Sequence, residues 1–386
     1  MFYDGEPRDF STIARVTGEG VPDPGTRDQP MMSLLANVKK PRLSMLDLVA
    51  NREGMSVSDS IAIALRTAQH AESLGFVRYW LAEHHNMAGV ASSATAVLVG
   101  HIAGGTSSIR VGSGGIMLPN HAPLVVAEAF GTLAEMYPGR IDLGLGRAPG
   151  TDGLTMRALR RDRIETEDDF PREVEELQHY LAPAQPGQRV IAMPGAGTRV
   201  PIWLLGSSLF AARLAAARGL PYAFASHFAP RLLLQALAIY RQEFRPSMTL
   251  KTPYVAIGVP LIAAPTDDEA EFLASSVQQR VLGIITNQRA RLQPPVVGFM
   301  DSLDPQARDG IEDFLAAAVI GGPDTVRTGF ERLAELTAAD EFILVSDVYD
   351  PDLRLRSLSI ASDANRAMFS EASPSLQQVQ SPAIAS

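Results

Sequence analysis

The amino-acid sequence predicts an α/β fold in which eight strand–helix units close into a (β/α)8 barrel. Short apolar runs alternate with segments of helical spacing along most of the 386 residues. Strands that alternate with helices form parallel sheets, because a parallel connection needs a crossover of helical length. Eight such units in succession favour a closed barrel over an open, doubly wound sheet.

The predicted strands are apolar runs bounded by glycine, proline or polar residues. They cover 43–48, 76–82, 109–118, 141–145, 201–205, 221–225, 254–263 and 341–345. The predicted helices follow the strands and cover 58–74, 93–104, 123–136, 164–181, 209–218, 231–244, 267–281 and 353–368. In the first helix, Ser58 is the expected N-cap and Gly75 the expected end.

Four segments lie outside this repeat. Residues 1–36 are rich in Gly, Pro, Asp and Arg and predict a loosely ordered arm, whereas the Ser/Pro/Gln-rich residues 371–386 predict a disordered tail. One barrel domain is expected between them, over 37–370. Two insertions are expected within it, near 182–199 and 283–322, and an insertion that follows a strand can cover the catalytic end.

Composition excludes several kinds of protein. The net charge of -9 and a pI of about 5.3 argue against a nucleic-acid partner. The chain has no cysteine, which excludes disulfides, iron–sulfur clusters and thiol catalysis. No apolar run approaches the ~18 residues of a membrane span, and the first thirty residues lack the apolar core of a signal peptide. A cytoplasmic protein without a membrane partner is expected.

The second predicted strand leads into Glu83, His84 and His85. In a barrel the carboxyl ends of the strands carry the active site, and two histidines with a carboxylate suit proton transfer near neutral pH. The alternative is that both imidazoles only satisfy backbone groups at a strand end. No metal site is expected, because adjacent residues of an extended chain point to opposite sides and no H-E-x-x-H spacing occurs.

The third predicted strand contains Gly112, Gly114 and Gly115. Glycine weakens a strand, and here it indicates either a bulge or a close approach of the backbone to a ligand. A flat ring system against this strand would explain the three glycines, and a bulge that packs a helix would explain them equally well.

Two further strand ends have the composition of a phosphate site. Arg147 follows the fourth strand in a glycine-flanked loop, where its guanidinium can grip a phosphate or form an ordinary surface ion pair. Gly206, Ser207 and Ser208 join the fifth strand to its helix. Free N–H groups and hydroxyls at a helix N-terminus bind phosphate, although either serine could simply cap the helix.

In this order, the motifs resemble those of the bacterial-luciferase-like flavin monooxygenases. The matching stretches are 82–85 (Ala-Glu-His-His), 111–119 and 137–147, with looser similarity over 201–226 and 320–364. The resemblance implies a (β/α)8 TIM barrel that binds reduced FMN at the strand ends, with Gly114–Gly115 as a non-prolyl cis peptide beside the flavin ring. It implies that His84 is the catalytic residue near the reactive flavin edge. The implied phosphate contacts are Arg147, Gly206, Ser207 and Ser208.

The implied function is monooxygenation, in which reduced FMN from a separate flavin reductase and O2 oxidise a small organic substrate. Two alternatives stay open. Some relatives use a deazaflavin coenzyme and transfer hydride, and a barrel could also bind flavin without catalysis.

The substrate and the oligomeric state are less defined by the motifs. A mainly apolar substrate is expected beside His85, Phe224 and His227, although core packing is an equally good explanation for a phenylalanine. The resemblance also implies a homodimer, formed through the helices that flank the second and third strands.

Overall fold

The computed structural model describes residues 39–148, 153–159 and 169–369. The strands in these ranges are all parallel, and eight of them form a closed ring. In chain order they are β1 (Arg42–Asp47), β2 (Arg78–Leu81), β3 (Arg110–Met117), β4 (Ile141–Gly146), β5 (Ile202–Gly206), β6 (Tyr222–Phe224), β7 (Val255–Ala263), β8 (Val319–Gly321) and β9 (Glu341–Val345). Neighbours from β1 to β7 pair in sequence, and β9 closes the ring between β7 and β1.

Helices surround the ring and alternate with its strands. Those of the described ranges are α1 (Val57–Ser73), α2 (Thr95–Gly104), α3 (Pro123–Met136), α4 (Gly153–Leu159), α5 (Asp169–Leu181), α6 (Leu209–Arg218), α7 (Leu233–Glu243), α8 (Asp267–Ile285), α9 (Pro305–Phe314), α10 (Pro323–Thr337) and α11 (Pro351–Ala367). Within the described part of the chain, no helix is both long and apolar enough to cross a membrane. The predicted (β/α)8 barrel is confirmed.

The N-cap prediction for the first helix was wrong by two residues. Ser56, not Ser58, caps α1, because Ser56 Oγ accepts the Asp59 N–H while the Asp59 carboxylate accepts the Ser56 N–H. This reciprocal pair is a capping box, and an acidic N3 residue makes the earlier serine the better cap. The helix ends before Gly75, whose φ is +82°, as predicted for a glycine stop.

Residues 182–199 do not cover the carboxyl end of the barrel. They pack along its side, where Gly195 contacts α3 so closely that a Cβ on Gly131 would lie 2.2 Å from the Gly195 Cα. The segment precedes β5 in the chain, so it leaves from the amino end of the barrel. The predicted insertion therefore packs against α3 on the side of the barrel.

The region 283–322 differs from the single insertion that was predicted. It contains α9 and β8, and β8 pairs with the last three residues of β7 outside the ring. Helix α10, which follows β8, was also missed. The region reaches the open end of the barrel at two places. Leu292 bridges to Arg52 in the loop after β1, and Phe314 at the end of α9 contacts the Phe228 ring after β6.

The amino end of the barrel is closed by a buried ionic cluster. Arg78 at the start of β2 donates to Asp142 of β4 and Glu341 of β9, with both nitrogen–oxygen distances 2.7 Å. Its guanidinium also lies 4.6 Å from the ring centroid of Trp203 on β5. Above this cluster, apolar side chains from six strands fill the interior. The polar residues that could carry out chemistry therefore lie at the opposite, carboxyl end of the barrel.

Candidate active site

The carboxyl ends of the strands gather most of the polar residues that the sequence singled out. His84 and His85 follow β2, Arg147 follows β4, and His227 follows β6. Parallel strands in a closed ring bring these positions to one end, although they are far apart in the chain. This end of the barrel is the candidate active site.

Glu83 is the centre of a hydrogen-bonded cluster in that site. Its side chain is 1% exposed, and Oε1 accepts from Nε2 of His85 at 2.9 Å and from Nε2 of His121 at 2.8 Å. The Met117 N–H donates to Oε2 at 3.1 Å. Burial alone would raise the pKa of Glu83, but the bonds from His121, His85 and Met117 outweigh it and lower the pKa below its usual value. Glu83 is therefore held as a carboxylate.

His84 follows Glu83 in the loop after β2. It is close enough to His227 for the two imidazoles to interact electrostatically. Burial lowers the pKa of His227 to about 4; Asp347 opposes this shift, whereas His84 and Arg280 add to it. His227 is therefore a neutral imidazole at pH 7. Arg280 and Asp347 form an ion pair of 2.9 Å beside it.

The His227 ring occupies a slot that a glycine creates. A Cβ on Gly258 of β7 would lie 2.2 Å from His227 Nδ1. This Nδ1 atom is buried and has no hydrogen-bond partner in the described residues. A buried ring nitrogen without a partner destabilises the fold less when it carries no proton than when it carries an N–H that donates to nothing. The proton of the neutral imidazole is therefore expected on Nε2.

The Gly114–Gly115 peptide bond is cis, as the resemblance implied. The pairing between β3 and β4 shifts register between Ser113 and Ile116. A Cβ on Gly114 would meet Leu46 Cδ1 at 2.8 Å, and a Cβ on Gly115 would meet the Gly144 carbonyl oxygen at 2.7 Å. The backbone contact requires glycine at position 115, whereas the contact at position 114 is with the end of the Leu46 side chain.

The candidate phosphate site lies between β4 and β5. The Arg147 guanidinium lies 4.5 Å from the ring centroid of Phe210, in the first turn of α6. Ser208 is the N-cap of α6, and its Oγ accepts the Ala211 N–H at 3.4 Å. Ser207 directly precedes this cap, and the N–H groups of the first turn of a helix point towards its N-terminus. A planar cation beside a helix N-terminus suits a phosphate group.

Phe224 is not brought to the site with the other predicted substrate residues. It is 1% exposed and lies on the same face of β6 as Tyr222, which packs against Tyr240 of α7. Ala223 between them belongs to the barrel interior. Because strand residues alternate in direction, Phe224 lies in the layer between strands and helices. Core packing accounts for its position.

Three contributors to the site were missed by the sequence analysis: Glu83 as the centre of the cluster, His121 and Phe210. His121 follows the third strand in the turn 120–123, and its position just after a strand end was the available signal. Phe210 carried no such signal, because its contact with Arg147 depends on how α6 packs against the loop after β4.

The barrel is closed, and its carboxyl end carries acid–base side chains and a phosphate-type donor set. These features define a barrel enzyme. Comparison with known proteins places it among the oxidoreductases. The chain belongs to the family of luciferase-like monooxygenases, whose model matches residues 42–340. A protein of Escherichia coli K12 named luciferase-like monooxygenase is 46% identical over 326 residues, which are 84% of this chain and 97% of that protein. YvbT of Bacillus subtilis is 50% identical over 83% of this chain and 96% of that protein.

Solved structures extend the comparison. Apo-MsnO8 superposes with a TM-score of 0.78 at 35% identity, over 84% of this chain and 98% of MsnO8. Two more distant structures share the fold. One is the oxygenating constituent of 3,6-diketocamphane monooxygenase from Pseudomonas putida, in complex with FMN. It has a TM-score of 0.64 at 18% identity, over 85% of this chain and 98% of its own. An F420-dependent secondary alcohol dehydrogenase has a TM-score of 0.63 at 15% identity over 85% of this chain and 100% of its own.

Proposed function

We propose that the protein is a flavin-dependent monooxygenase that uses reduced FMN and O2 to oxidise a small, largely apolar organic substrate. One oxygen atom enters the substrate, the other leaves as water, and the flavin is oxidised. A separate reductase supplies the reduced FMN. The observation that carries the proposal is the donor set around Arg147, Ser207 and the N-terminus of α6, in a chain of the luciferase-like monooxygenase family.

The residues present fit a flavin phosphate. Arg147 supplies a planar cation whose orientation Phe210 fixes, and the N-terminus of α6 supplies backbone N–H groups. Gly206 and Ser207 keep side-chain bulk away from the entry to the helix, while Ser208 caps it. Bound flavin would supply the redox chemistry. Gly114–Gly115 would contribute a narrow wall beside the ring, since neither residue has a side chain to project toward it.

His84 is proposed to move a proton during oxygen transfer. It follows β2 at the open end, close enough to neutral His227 to interact with it electrostatically. General acid–base catalysis contributes typically 10²–10⁴-fold to a rate. We expect His84→Ala to lower the product yield in single turnover with photoreduced FMN by at least about tenfold. His101→Ala, an exposed change on α2, is the control; an unchanged yield in His84→Ala would remove the role.

The deazaflavin alternative has a specific basis, because the F420-dependent alcohol dehydrogenase shares this fold. A hydride-transfer enzyme of that kind would bind reduced deazaflavin more tightly than reduced FMN. Anaerobic titration of the purified protein with both reduced coenzymes separates the two functions. Tighter binding of FMN, followed by O2-dependent product formation, supports the monooxygenase; tighter binding of the deazaflavin reverses the proposal. Flavin binding without turnover of any substrate would favour a non-catalytic barrel.

The substrate is proposed to bind beside His227 and His85. Neutral His227 offers a hydrogen bond without a charge, and the Phe228–Phe314 ring pair, with centroids 5.6 Å apart, gives an apolar wall. One relative, the N-acetyl-S-alkylcysteine monooxygenase of Bacillus subtilis, is 39% identical over 194 residues, 48% of this chain and 56% of that protein. Its name describes a small organic substrate with an S-alkyl group, and an alkyl group of this kind would suit the apolar wall.

A homodimer is proposed through α2 and α3. Val97 on α2 is 72% exposed and Val125 on α3 is 58% exposed, and the two helices are in contact. Apolar side chains on neighbouring helices favour a protein interface. Sedimentation velocity is expected to give a dimer for the native chain and a monomer for Val97→Asp/Val125→Asp. A monomer for the native chain at micromolar concentration would contradict this interface.

A further inference from the structure

The Glu83 cluster has the composition of a metal site as well as that of a hydrogen-bonded network. Two imidazoles and one carboxylate, from the loops after β2 and β3, offer ligand atoms that all lie within 4.8 Å of one another. Nothing in the proposed flavin chemistry uses His121. The cluster therefore needs an explanation of its own.

The three ligand atoms of the cluster lie within reach of a single ion. Nε2 of His85 and Nε2 of His121 lie 2.9 Å and 2.8 Å from the same oxygen of Glu83. Two ligand atoms about 2.1 Å from an ion lie roughly 3.0 Å apart in an octahedral site and roughly 3.4 Å apart in a tetrahedral one. Either site therefore needs only a small increase in the separation of these hydrogen-bonded atoms.

The surroundings of Glu83 meet the other requirements of a metal site. The Met117 N–H donates to the second carboxylate oxygen at 3.1 Å, and the Asn120 amide lies 3.5 Å from the first. Such contacts orient a carboxylate ligand. The side chain of His121 is 31% exposed and that of His85 15%, so an ion could enter from the open end of the barrel.

We propose that Glu83, His85 and His121 bind one divalent transition-metal ion, such as Fe²⁺, Mn²⁺ or Co²⁺. Two histidines and one carboxylate on one face are the ligand set that such ions take in non-haem iron sites, with the remaining positions open. The hydrogen-bonded cluster is the metal-free form, in which both Nε2 atoms donate to Glu83 Oε1. A neutral imidazole that binds the ion through Nε2 carries its proton on Nδ1 instead. The bound ion would tie the loop after β2 to the turn after β3.

The ion would also fix the loop that carries His84, because His84 lies between two of the three ligands in the chain. Occupancy of the site would then set how far the His84 imidazole can move. This consequence distinguishes a metal that organises the loop from one bound at an unrelated surface position.

The test is a calorimetric titration of the full, EDTA-treated chain with Co²⁺, without flavin. One equivalent is expected to bind, and His85→Gln and His121→Gln are each expected to weaken binding at least tenfold. His101→Gln on α2 is the matched control, since His101 is exposed and distant from the cluster in the fold. Circular dichroism of each variant shows whether it is folded. A metal that binds only the folded chain is also expected to raise the Tm of the native protein and of His101→Gln, but not that of His121→Gln.

If the native chain does not bind Co²⁺, Glu83, His85 and His121 form only a hydrogen-bonded cluster, and the proposal is overturned. Binding that survives both glutamine substitutions would also overturn it, because the ion would then lie elsewhere. Glu83→Gln is a less suitable variant, since Glu83 is buried and its loss could disturb the fold. The titration contains no flavin, so its failure leaves the monooxygenase proposal untouched, and a failed FMN titration leaves the metal site untouched.

Discussion

A single contact distinguishes Arg147 from an ordinary surface arginine: its guanidinium lies 4.5 Å from the Phe210 ring centroid. A cation over an aromatic face gains about 0.5–1 kcal/mol at an exposed site, and the planar group loses orientational freedom. The guanidinium is thus positioned before any ligand arrives. Phe210 is a positioning residue for the proposed phosphate contact.

We expect Arg147→Gln to weaken the binding of reduced FMN by about 10–100-fold, because a charge-assisted hydrogen bond contributes about 1.5–3 kcal/mol. Phe210→Leu should give a smaller loss. Affinity for riboflavin, which lacks the phosphate, should stay unchanged in both variants. Arg213→Gln on the exposed face of α6 is the control. Equal losses for FMN and riboflavin would mean that Arg147 does not contact the phosphate.

The slot between Gly258 and His227 gives a second prediction at this scale. All three atoms nearest to a Cβ on Gly258 belong to the His227 ring. Gly258→Ala should therefore destabilise the protein by about 1–3 kcal/mol through overpacking. In a His227→Ala background the same change should cost much less. Urea unfolding of the four proteins measures this coupling. Additive effects would show that His227 does not occupy the slot.

At the scale of elements, one carboxylate joins α1 to the start of β3. Glu72 Oε1 accepts the N–H groups of Ser107, Ser108 and Ile109, at 2.9, 2.5 and 2.9 Å. Burial would raise the pKa of Glu72, but these bonds and that of the Ser108 hydroxyl lower it to about 2. The ionised form therefore stabilises the folded state.

The folded-state pKa of Glu72 lies below the value near 4.5 of an unfolded chain. Its contribution is therefore complete above pH 4.5 and is lost as the pH falls towards 2. Glu72→Gln should lower the free energy of unfolding by about 1 kcal/mol at pH 7, and by less at pH 3. Urea unfolding at both pH values checks this, with exposed Glu135→Gln as the control. A difference that does not change with pH would contradict it.

The elements also show what the sequence could and could not predict. The eight ring strands and their helices were predictable, because apolar periodicity and Gly or Pro boundaries are local properties. The three-residue β8 was missed, since so short a run differs little from a loop and its pairing with β7 is long-range. The sequence singled out His84 and Arg147 by their positions after strands, whereas the contacts of His121 and Phe210 depend on packing. Phe224 was predicted in the substrate site but lies in the core, because composition does not show on which face of β6 its side chain lies.

At the scale of the whole molecule, stability and chemistry occupy opposite ends of the barrel. The amino end holds Arg78, Asp142 and Glu341, with side chains 7%, 1% and 0% exposed. The Tyr254 hydroxyl donates to the second Glu341 oxygen at 2.9 Å. This cluster links strands that are distant around the ring, and so it helps to close the barrel. The carboxyl end is left free to vary its loops.

This separation predicts that the amino-end cluster can be broken without loss of the ligand site. Arg78→Met leaves the buried Glu341 carboxylate without its cation, whereas Asp142 keeps its ion pair with Arg110. Removal of one partner from a buried ion pair costs about 3–5 kcal/mol. Urea unfolding should show a loss of that size, whereas Arg66→Met, which breaks an exposed pair with Asp352, should cost under about 1 kcal/mol. In the folded Arg78→Met protein the affinity for reduced FMN should equal that of the native chain, because the cluster and the strand ends are at opposite sides of the apolar interior. A loss of FMN affinity with little loss of stability would mean that Arg78 acts on the site directly.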